Sequence, residues 1–118
     1  MQYLLMIYEP EKVWTEMSED SRNKMFGEYM EFTKSVKASG HFKAGDALQP
    51  TATATTVRVR EGKPQVTDGP FAETREQLGG YMLIDVPDLD AAIAIAGRIP
   101  LARLSTIEIR PLREGPPA

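Results

Sequence analysis

The residues with the clearest chemical potential lie in one segment, Asp68 to Phe71, which reads DGPF and separates two β-like stretches. In the structural interpretation, Asp68 accepts backbone N–H bonds from residues two positions on and fixes a turn, an effect of about 1 kcal/mol. In the functional interpretation, Asp68 lies at the mouth of an apolar space, where partial desolvation fits a carboxylate for acid–base catalysis. Gly69 is expected to be extended because a proline follows it, and Phe71 to bury its ring. The candidate ligand-binding residues are Asp68, Gly69, Pro70, Phe71 and, in the next strand, Tyr81.

Other polar side chains are weaker candidates. Arg58, Arg60 and Arg75 have the charge to bind an anion, but arginines on the polar side of a hairpin usually face water, and we expect the same of Glu73. His41 is the only histidine and follows a helix-ending glycine, which favours a surface position. Because the chain has no cysteine, a zinc site would need mostly carboxylates, so we expect no metal. No phosphate-binding glycine loop is present, so we expect no cofactor.

Composition narrows the class of protein. The 118 residues are 42% hydrophobic and 26% charged, which indicates one globular domain over residues 1–118. A net charge of −3 disfavours nucleic-acid binding, which needs clustered Lys and Arg. The absence of cysteine, of a signal-peptide pattern and of an apolar run of about 20 residues predicts a cytoplasmic protein without membrane contact.

Hydrophobic periodicity predicts the first half of the fold. Residues 2–8 form a strand that is apolar on both faces, and residues 18–39 form a helix with Ser18 as N-cap and Gly40 beyond its end. Apolar residues recur in this helix at spacings of three and four: Met25, Phe26, Tyr29, Met30, Phe32 and Val36. Residues 41–54 are expected to be a loop or an irregular edge strand, because Gly45 and Pro50 interrupt them.

The second half contains a hairpin, a strand, a helix and a final strand. Residues 55–60 and 65–67 pair as the hairpin and supply strands to the sheet, and residues 72–77 are expected to make a short helical turn. The next strand, 81–86, is again apolar on both faces. Asp88 caps a helix over residues 89–98 with the apolar stripe Leu89, Ala92, Ile93 and Ala96, and residues 106–110 form the last strand.

This order predicts an α+β fold, a ferredoxin-like split βαβ with an antiparallel sheet and both helices on one face. Because two strands are apolar on both sides, the second face of the sheet also needs cover. We expect a homodimer that packs sheet against sheet. The alternative is that the hairpin over residues 50–67 folds back over that face within one chain.

Residues 66–96, VTDGPFAETREQLGGYMLIDVPDLDAAIAIA, with GDALQPTATATTVRVREGKPQ before them and IEIRPL after them, resemble the DGPF-type branch of the YCII-related domain family. The resemblance covers nearly the whole chain and implies a dimeric α+β barrel. It also implies an association with extracytoplasmic-function sigma factors, whose genes often neighbour those of such proteins. Smaller relatives carry a suggested catalytic pair, a His in the first helix and an Asp near the end of the second. This chain has no histidine in residues 18–39 and reads Arg-Ile-Pro-Leu at residues 98–101, so that pair is missing.

Three hypotheses follow for the function. The first is a homodimer that binds an unidentified small molecule between its sheets near Asp68, as an accessory or sensory factor. The second is a small cofactor-free enzyme in which Asp68 is the acid or base, with Tyr81 or Glu73 as its helper. The third is an interaction partner of a sigma factor, bound through surface arginines.

Overall fold

The computed structural model describes residues 1–115, which contain six strands and three α-helices. In chain order these are β1 (Gln2–Glu9), α1 (Lys12–Glu16), α2 (Glu19–Ala38), β2 (Phe42–Ala47), β3 (Thr55–Arg60), β4 (Lys63–Asp68), β5 (Gln77–Asp85), α3 (Leu89–Gly97) and β6 (Thr106–Pro111). Short 3₁₀ turns cover Thr51–Thr53 and Pro100–Arg103. Within residues 1–115, no helix has the length and apolar character needed to cross a bilayer.

Four strands form the main sheet in the order β2-β5-β1-β6, and every neighbouring pair is antiparallel. The units β1-α2-β2 and β5-α3-β6 interlock, because each has a strand of the other between its own two strands. This is the ferredoxin-like split βαβ arrangement, so the predicted fold class is confirmed.

Two sequence predictions need correction. The β3–β4 hairpin forms a separate two-stranded sheet and supplies no strand to the main sheet, whose fourth strand is β2. This edge strand was one of two alternatives for residues 41–54, and its register shifts between Phe42 and Ala44. The predicted helical turn at residues 72–77 is also wrong, since residues 72–76 are irregular and Gln77 already begins β5.

The predicted helix ends are confirmed, because they depend on local hydrogen bonds. Ser18 caps α2 by accepting a bond from the Ser21 backbone N–H at 3.1 Å, and Asp88 caps α3 through Ala91 at 2.9 Å. Gly40 follows α2 with φ +82°, a left-handed conformation that glycine adopts without steric cost.

The hydrophobic core lies between the helices and one face of the sheet. Alternate residues of β1 and β5 point into it and meet the inner faces of α2 and α3. Its buried members are Tyr3, Leu5, Ile7, Phe32, Val36, Met82, Ile84, Val86, Ala92, Ile95, Ala96 and Ile99. Four apolar helix residues that periodicity assigned to the core are exposed: Phe26, Met30, Leu89 and Ile93. Of these, Phe26 stacks on Trp14 with ring centroids 5.3 Å apart.

Within residues 1–115, no element covers the other side of the sheet, and we call it the open face. It consists of the half-buried residues Leu4, Met6, Tyr8, Tyr81 and Leu83. The molecule is a slab of 48 × 45 × 19 Å, and its thickness matches two layers packed about 10 Å apart. The hairpin therefore does not fold back over the open face, and its own residues are nearly all exposed.

The inward-facing row of β1 ends in a carboxylate. Glu9 is only 9% exposed, and the indole N–H of Trp14 donates to its Oε1 at 2.8 Å. Burial raises the pKa of Glu9 and the charge of Glu11 adds to the rise, whereas the Trp14 hydrogen bond opposes it. A Cβ atom at Gly79 would lie 2.7 Å from Glu9 Cδ, so glycine at position 79 makes room for this carboxylate.

Replacing Gly79 tests this packing. We expect Gly79→Ala to displace the Glu9 carboxylate from Trp14 and to lower the free energy of unfolding by about 1–3 kcal/mol. A matched control is Gly27→Ala in the interior of α2, where an added Cβ meets no side chain of residues 1–115 within 4 Å. The control should raise stability by about 0.5–1 kcal/mol, because alanine loses less backbone entropy in a helix. Urea unfolding followed by circular dichroism measures both, and equal effects of the two variants would contradict the packing.

The Glu9 carboxylate should also give stability a pH dependence. Because its folded pKa is raised, its contribution is fully present below the ordinary value of 4.5 and is lost as the pH rises through the folded value. Glu9→Gln removes this loss and keeps an acceptor for Trp14. The melting temperature of Glu9→Gln relative to wild type should therefore increase between pH 4 and pH 7. A difference that stays constant with pH would show that Glu9 is not desolvated.

Candidate functional site

A polar pair lies at the β2 border of the open face. The Tyr81 hydroxyl on β5 donates to Asp46 Oδ2 on β2 at 3.1 Å, and the two residues are directly opposite in the ladder. The hydrogen bond to Asp46, and then the Asp46 charge, raise the pKa of Tyr81, so the phenol keeps its proton. The phenol oxygen and the second Asp46 oxygen can each accept a further hydrogen bond. The arrangement therefore suits a ligand that brings its own donors.

Apolar side chains separate this pair from a second charged pair on β6. Met6 is the ladder partner of both Tyr81 and Glu108, and Leu4 is the partner of Arg110. Arg110 bonds Glu108 at 2.5 Å at the edge of the sheet. The open face therefore has an apolar centre between two polar borders, which is the usual composition of a small-molecule site.

One carboxylate near the end of the open face has an unused acceptor. Thr106, the ladder partner of Tyr8, donates its hydroxyl to Glu76 Oε2 at 3.2 Å. The other oxygen, Glu76 Oε1, is buried and has no hydrogen-bond partner within residues 1–115. A buried acceptor without a partner costs about 1–3 kcal/mol, which a donor from a bound molecule can offset.

Sequence reasoning missed Glu76 and Asp46. Glu76 lies in a segment that was assigned to a helical turn, and no local pattern distinguishes it from Glu73, which is exposed. Asp46 lies in residues 41–54, for which the sequence predicts a loop or an irregular edge strand. The register of β2 against β5 is what places Asp46 beside Tyr81, and only a strand assignment with that register would have found it.

The DGPF segment lies away from the main sheet, at the base of the hairpin. Asp68 is the exposed last residue of β4, and no residue from 1 to 115 donates a hydrogen bond to its carboxylate. The expected side-chain turn is therefore not formed. Backbone and hydroxyl groups hold the segment instead, since Gly69 N–H donates to the Ala54 carbonyl at 2.8 Å and the Thr56 hydroxyl donates to the Gly69 carbonyl at 2.7 Å.

Two further expectations for this segment are wrong. Gly69 has φ +98° and is not extended in the usual sense, because the chain turns here through a conformation that favours glycine. Phe71 is 73% exposed in the single chain, and the Arg58 guanidinium lies 5.0 Å from its ring centroid. Phe71 is thus a cation–π partner on the surface and not a core anchor.

The five predicted ligand-binding residues therefore fall into two groups. Asp68, Gly69, Pro70 and Phe71 belong to the hairpin base, and Tyr81 belongs to the open face, in two different sheets. Within one chain, the structure gives Tyr81 a different carboxylate, Asp46, as its partner.

The remaining polar candidates from the sequence are His41 and Arg75. His41 Nδ1 lies 3.0 Å from the Asp85 carbonyl, where it joins the chain to the end of β5. Arg75 lies in the loop before β5, where the neighbouring residues are half-buried or exposed. Within residues 1–115 it forms no hydrogen bond or ion pair. In the same part of the chain, no three His, Asp or Glu residues lie close enough together to hold a metal ion.

A groove of about 720 Å³ lies on the helical side, between α2 and the end of α3. Gly27 and Gly97 leave it open, and Arg103 on its wall bonds Glu28 at 2.6 Å. Arg98, also on its wall, donates to the Ser35 hydroxyl. Within residues 1–115 the groove contains no buried polar side-chain atom without a partner, unlike the open face with Glu76 Oε1. The open face is therefore the better candidate site.

The chain is similar to known proteins over nearly its whole length. The sequence profile of the YCII-related domain matches residues 1–115. An uncharacterized protein of Rhizobium meliloti (strain 1021) is 35% identical over 114 residues, which make up 95% of this chain and 92% of that protein.

A solved structure shares the fold. It is 5-chloro-2-hydroxyhydroquinone dehydrochlorinase from Burkholderia phenoliruptrix AC1100, in complex with 2,5-dihydroxybenzoquinone. The TM-score is 0.56 over 98% of this chain and 96% of that one, at 12% identity, so the likeness concerns the fold alone. The family profile and the Rhizobium meliloti relative both match nearly the whole chain. Together they show that the chain belongs to the YCII-related domain family.

Proposed function

We propose that the protein is a homodimer that binds a small, neutral, hydroxylated aromatic molecule between the open faces of its two sheets. The observation that carries this proposal is the open face itself. A row of apolar side chains lies uncovered at the centre of the sheet, and hydrogen-bond acceptors surround it.

Burial of this face against a second copy is the simplest way to remove its apolar surface from water. An uncovered apolar sheet face is unusual on a monomer, and a two-fold axis lets the same patch serve both partners. Two sheets packed face to face lie about 10 Å apart, and the side chains between them set the space that remains for a ligand.

The chemistry of the borders indicates the ligand class. Asp46 and Glu76 accept hydrogen bonds and carry negative charge, so they favour neutral hydroxyl donors and disfavour anions. The apolar centre favours a flat hydrophobic body. The dehydrochlorinase that shares the fold binds a hydroxylated quinone ring, which supports the view that this scaffold can accommodate a ring of that size.

The dimer can be tested by changing the centre of the open face. We expect wild type to have the mass of two chains in light scattering, and Met6→Glu to have the mass of one, because a buried charge at the interface has no partner. Met30→Glu is the matched control, since Met30 is 74% exposed on α2 in the helical layer, and it should remain dimeric. A monomeric wild type at micromolar concentration would contradict the proposal.

Ligand binding can be tested with hydroquinone and benzoate, which are of similar size and differ in charge. Calorimetry should detect hydroquinone and not benzoate, because the acceptors on the open face repel a carboxylate. Tyr81→Phe and Glu76→Ala, which each remove an acceptor, should weaken hydroquinone binding about fivefold to tenfold, the effect of one hydrogen bond.

Glu73→Ala changes an exposed acid on the same loop, so it is the control and should bind as wild type does. Equal affinity for hydroquinone and benzoate, or full binding by Glu76→Ala, would refute the assignment of the open face as the site.

A further inference from the structure

The β3–β4 hairpin is a two-stranded sheet of its own, and its register fixes the direction of its backbone groups. A two-residue turn joins the strands, with Glu61 at φ 53° and Gly62 at φ 74°. In an antiparallel pair, opposite residues alternate between pairs that exchange backbone hydrogen bonds and pairs that do not. Proline has no N–H, so Val59 and Pro64 form a pair that does not exchange them. The backbone groups of Val59 therefore point away from β4.

The same alternation gives β3 a free outer edge. Val57 and Thr55 follow Val59 at intervals of two, so their N–H and C=O groups also point away from β4. Within residues 1–115, no other backbone group bonds these three residues on that side. Five of the six residues of β3 are exposed. A row of backbone donors and acceptors is thus open to an added strand.

The outer edge of β4 is different. Pro64 lies among its outward-facing residues and has no N–H to donate. Proline on an edge strand is one of the features that prevent pairing with another chain. The outward positions of β3 contain no proline, so an added strand has its place on the β3 side of the hairpin.

The two faces of the hairpin indicate which strand would fit. One face is apolar and consists of Val57, Val59, Pro64 and Val66. The other is basic and consists of Arg58, Arg60 and Lys63 with the neutral residues Thr56, Gln65 and Thr67. In the part of the chain that the structure describes, none of the three cations forms an ion pair. A strand that continues both faces therefore alternates apolar residues with acidic ones.

We infer that the outer edge of β3 binds an extended segment of another protein in which acidic and apolar residues alternate. The segment becomes a third strand of the hairpin and takes up its free backbone groups. Its carboxylates lie beside Arg58 and Arg60. The Arg60 guanidinium already reaches this edge, where it donates to the Val59 carbonyl at 2.9 Å. The inference does not rest on the proposed homodimer, because the hairpin and the open face belong to different sheets.

A second copy of β3 is a poor occupant of this edge. Antiparallel pairing of two identical strands across a two-fold axis keeps their equivalent faces on the same side of the sheet. Arg58 and Arg60 of both copies would then stand together, and like charges on neighbouring strands are destabilising. Charge therefore favours an acidic partner of different sequence.

A synthetic peptide tests the inference. The probe is an end-blocked, fluorescently labelled peptide of about seven residues in which glutamate alternates with valine, long enough to cover β3. Fluorescence anisotropy should show saturable binding to the wild-type protein. A peptide in which lysine alternates with valine should bind at least about tenfold more weakly, because it meets Arg58 and Arg60 with like charge. The double variant Arg58→Gln, Arg60→Gln should lose most of this preference.

N-methylated peptides test the backbone contact without any change to the protein. A peptide valine opposite Val57 exchanges both backbone hydrogen bonds with it, whereas the glutamate N–H groups point away from β3. Methylation of the valine nitrogens should therefore abolish binding, and methylation of the glutamate nitrogens should leave it within about twofold. No binding of the unmodified peptide, or an equal loss with both methylated peptides, would overturn the inference.

The choice of edge can be tested on the protein. Val57→Pro removes an outward N–H from β3, and Val66→Pro removes the equivalent N–H from β4. Neither N–H belongs to the ladder of the hairpin, and circular dichroism checks that both variants fold. Val57→Pro should weaken binding of the glutamate–valine peptide about tenfold, and Val66→Pro should bind it as wild type does. The reverse order would place the partner on β4 and refute the assignment.

Discussion

The alternation of side chains along β1 is the constraint on which the rest of the structure depends. Leu5 and Ile7 point towards the helices, and Leu4 and Met6 point the other way. A strand with apolar residues at both parities must be covered on both sides, and α2 and α3 lie on one side only. The neighbouring antiparallel strand β5 also has an apolar residue, Leu83, on the side away from the helices. Within residues 1–115 the sheet is therefore covered on one side only, and the proposed homodimer would cover the other.

Local physics explains how much of the fold could be predicted from the sequence. The ends of α2 and α3 depend on Ser18 and Asp88, whose side chains bond backbone groups three residues away, and such signals are visible in the sequence. Strands with a regular apolar pattern can be predicted from the sequence equally well. The segment at residues 42–47 could not be, because its alternation is broken by Gly45 and its pairing with β5 is a tertiary effect.

The candidate site was less predictable for the same reason. Tyr81 was identified, but its partner Asp46 comes from the weakly patterned edge strand, and the role of Glu76 depends on which groups surround it after folding. The composition of the DGPF segment suggested a site, but a proline and a glycine determine only the course of the backbone. Whether Phe71 is buried depends on what lies against the hairpin. No periodicity within the chain contains that information.

Oxidation of methionine by hydrogen peroxide measures most directly whether the open face is covered in solution. Three methionines provide the scale within one molecule: Met82 is 6% exposed in the core, Met30 is 74% exposed on α2, and Met6 lies half-buried on the open face. Thioether oxidation follows exposure, and peptide mass spectrometry resolves each site. The account predicts that Met6 reacts as slowly as Met82 while Met30 reacts quickly. Oxidation of Met6 at a rate approaching that of Met30 would show an uncovered face and contradict it.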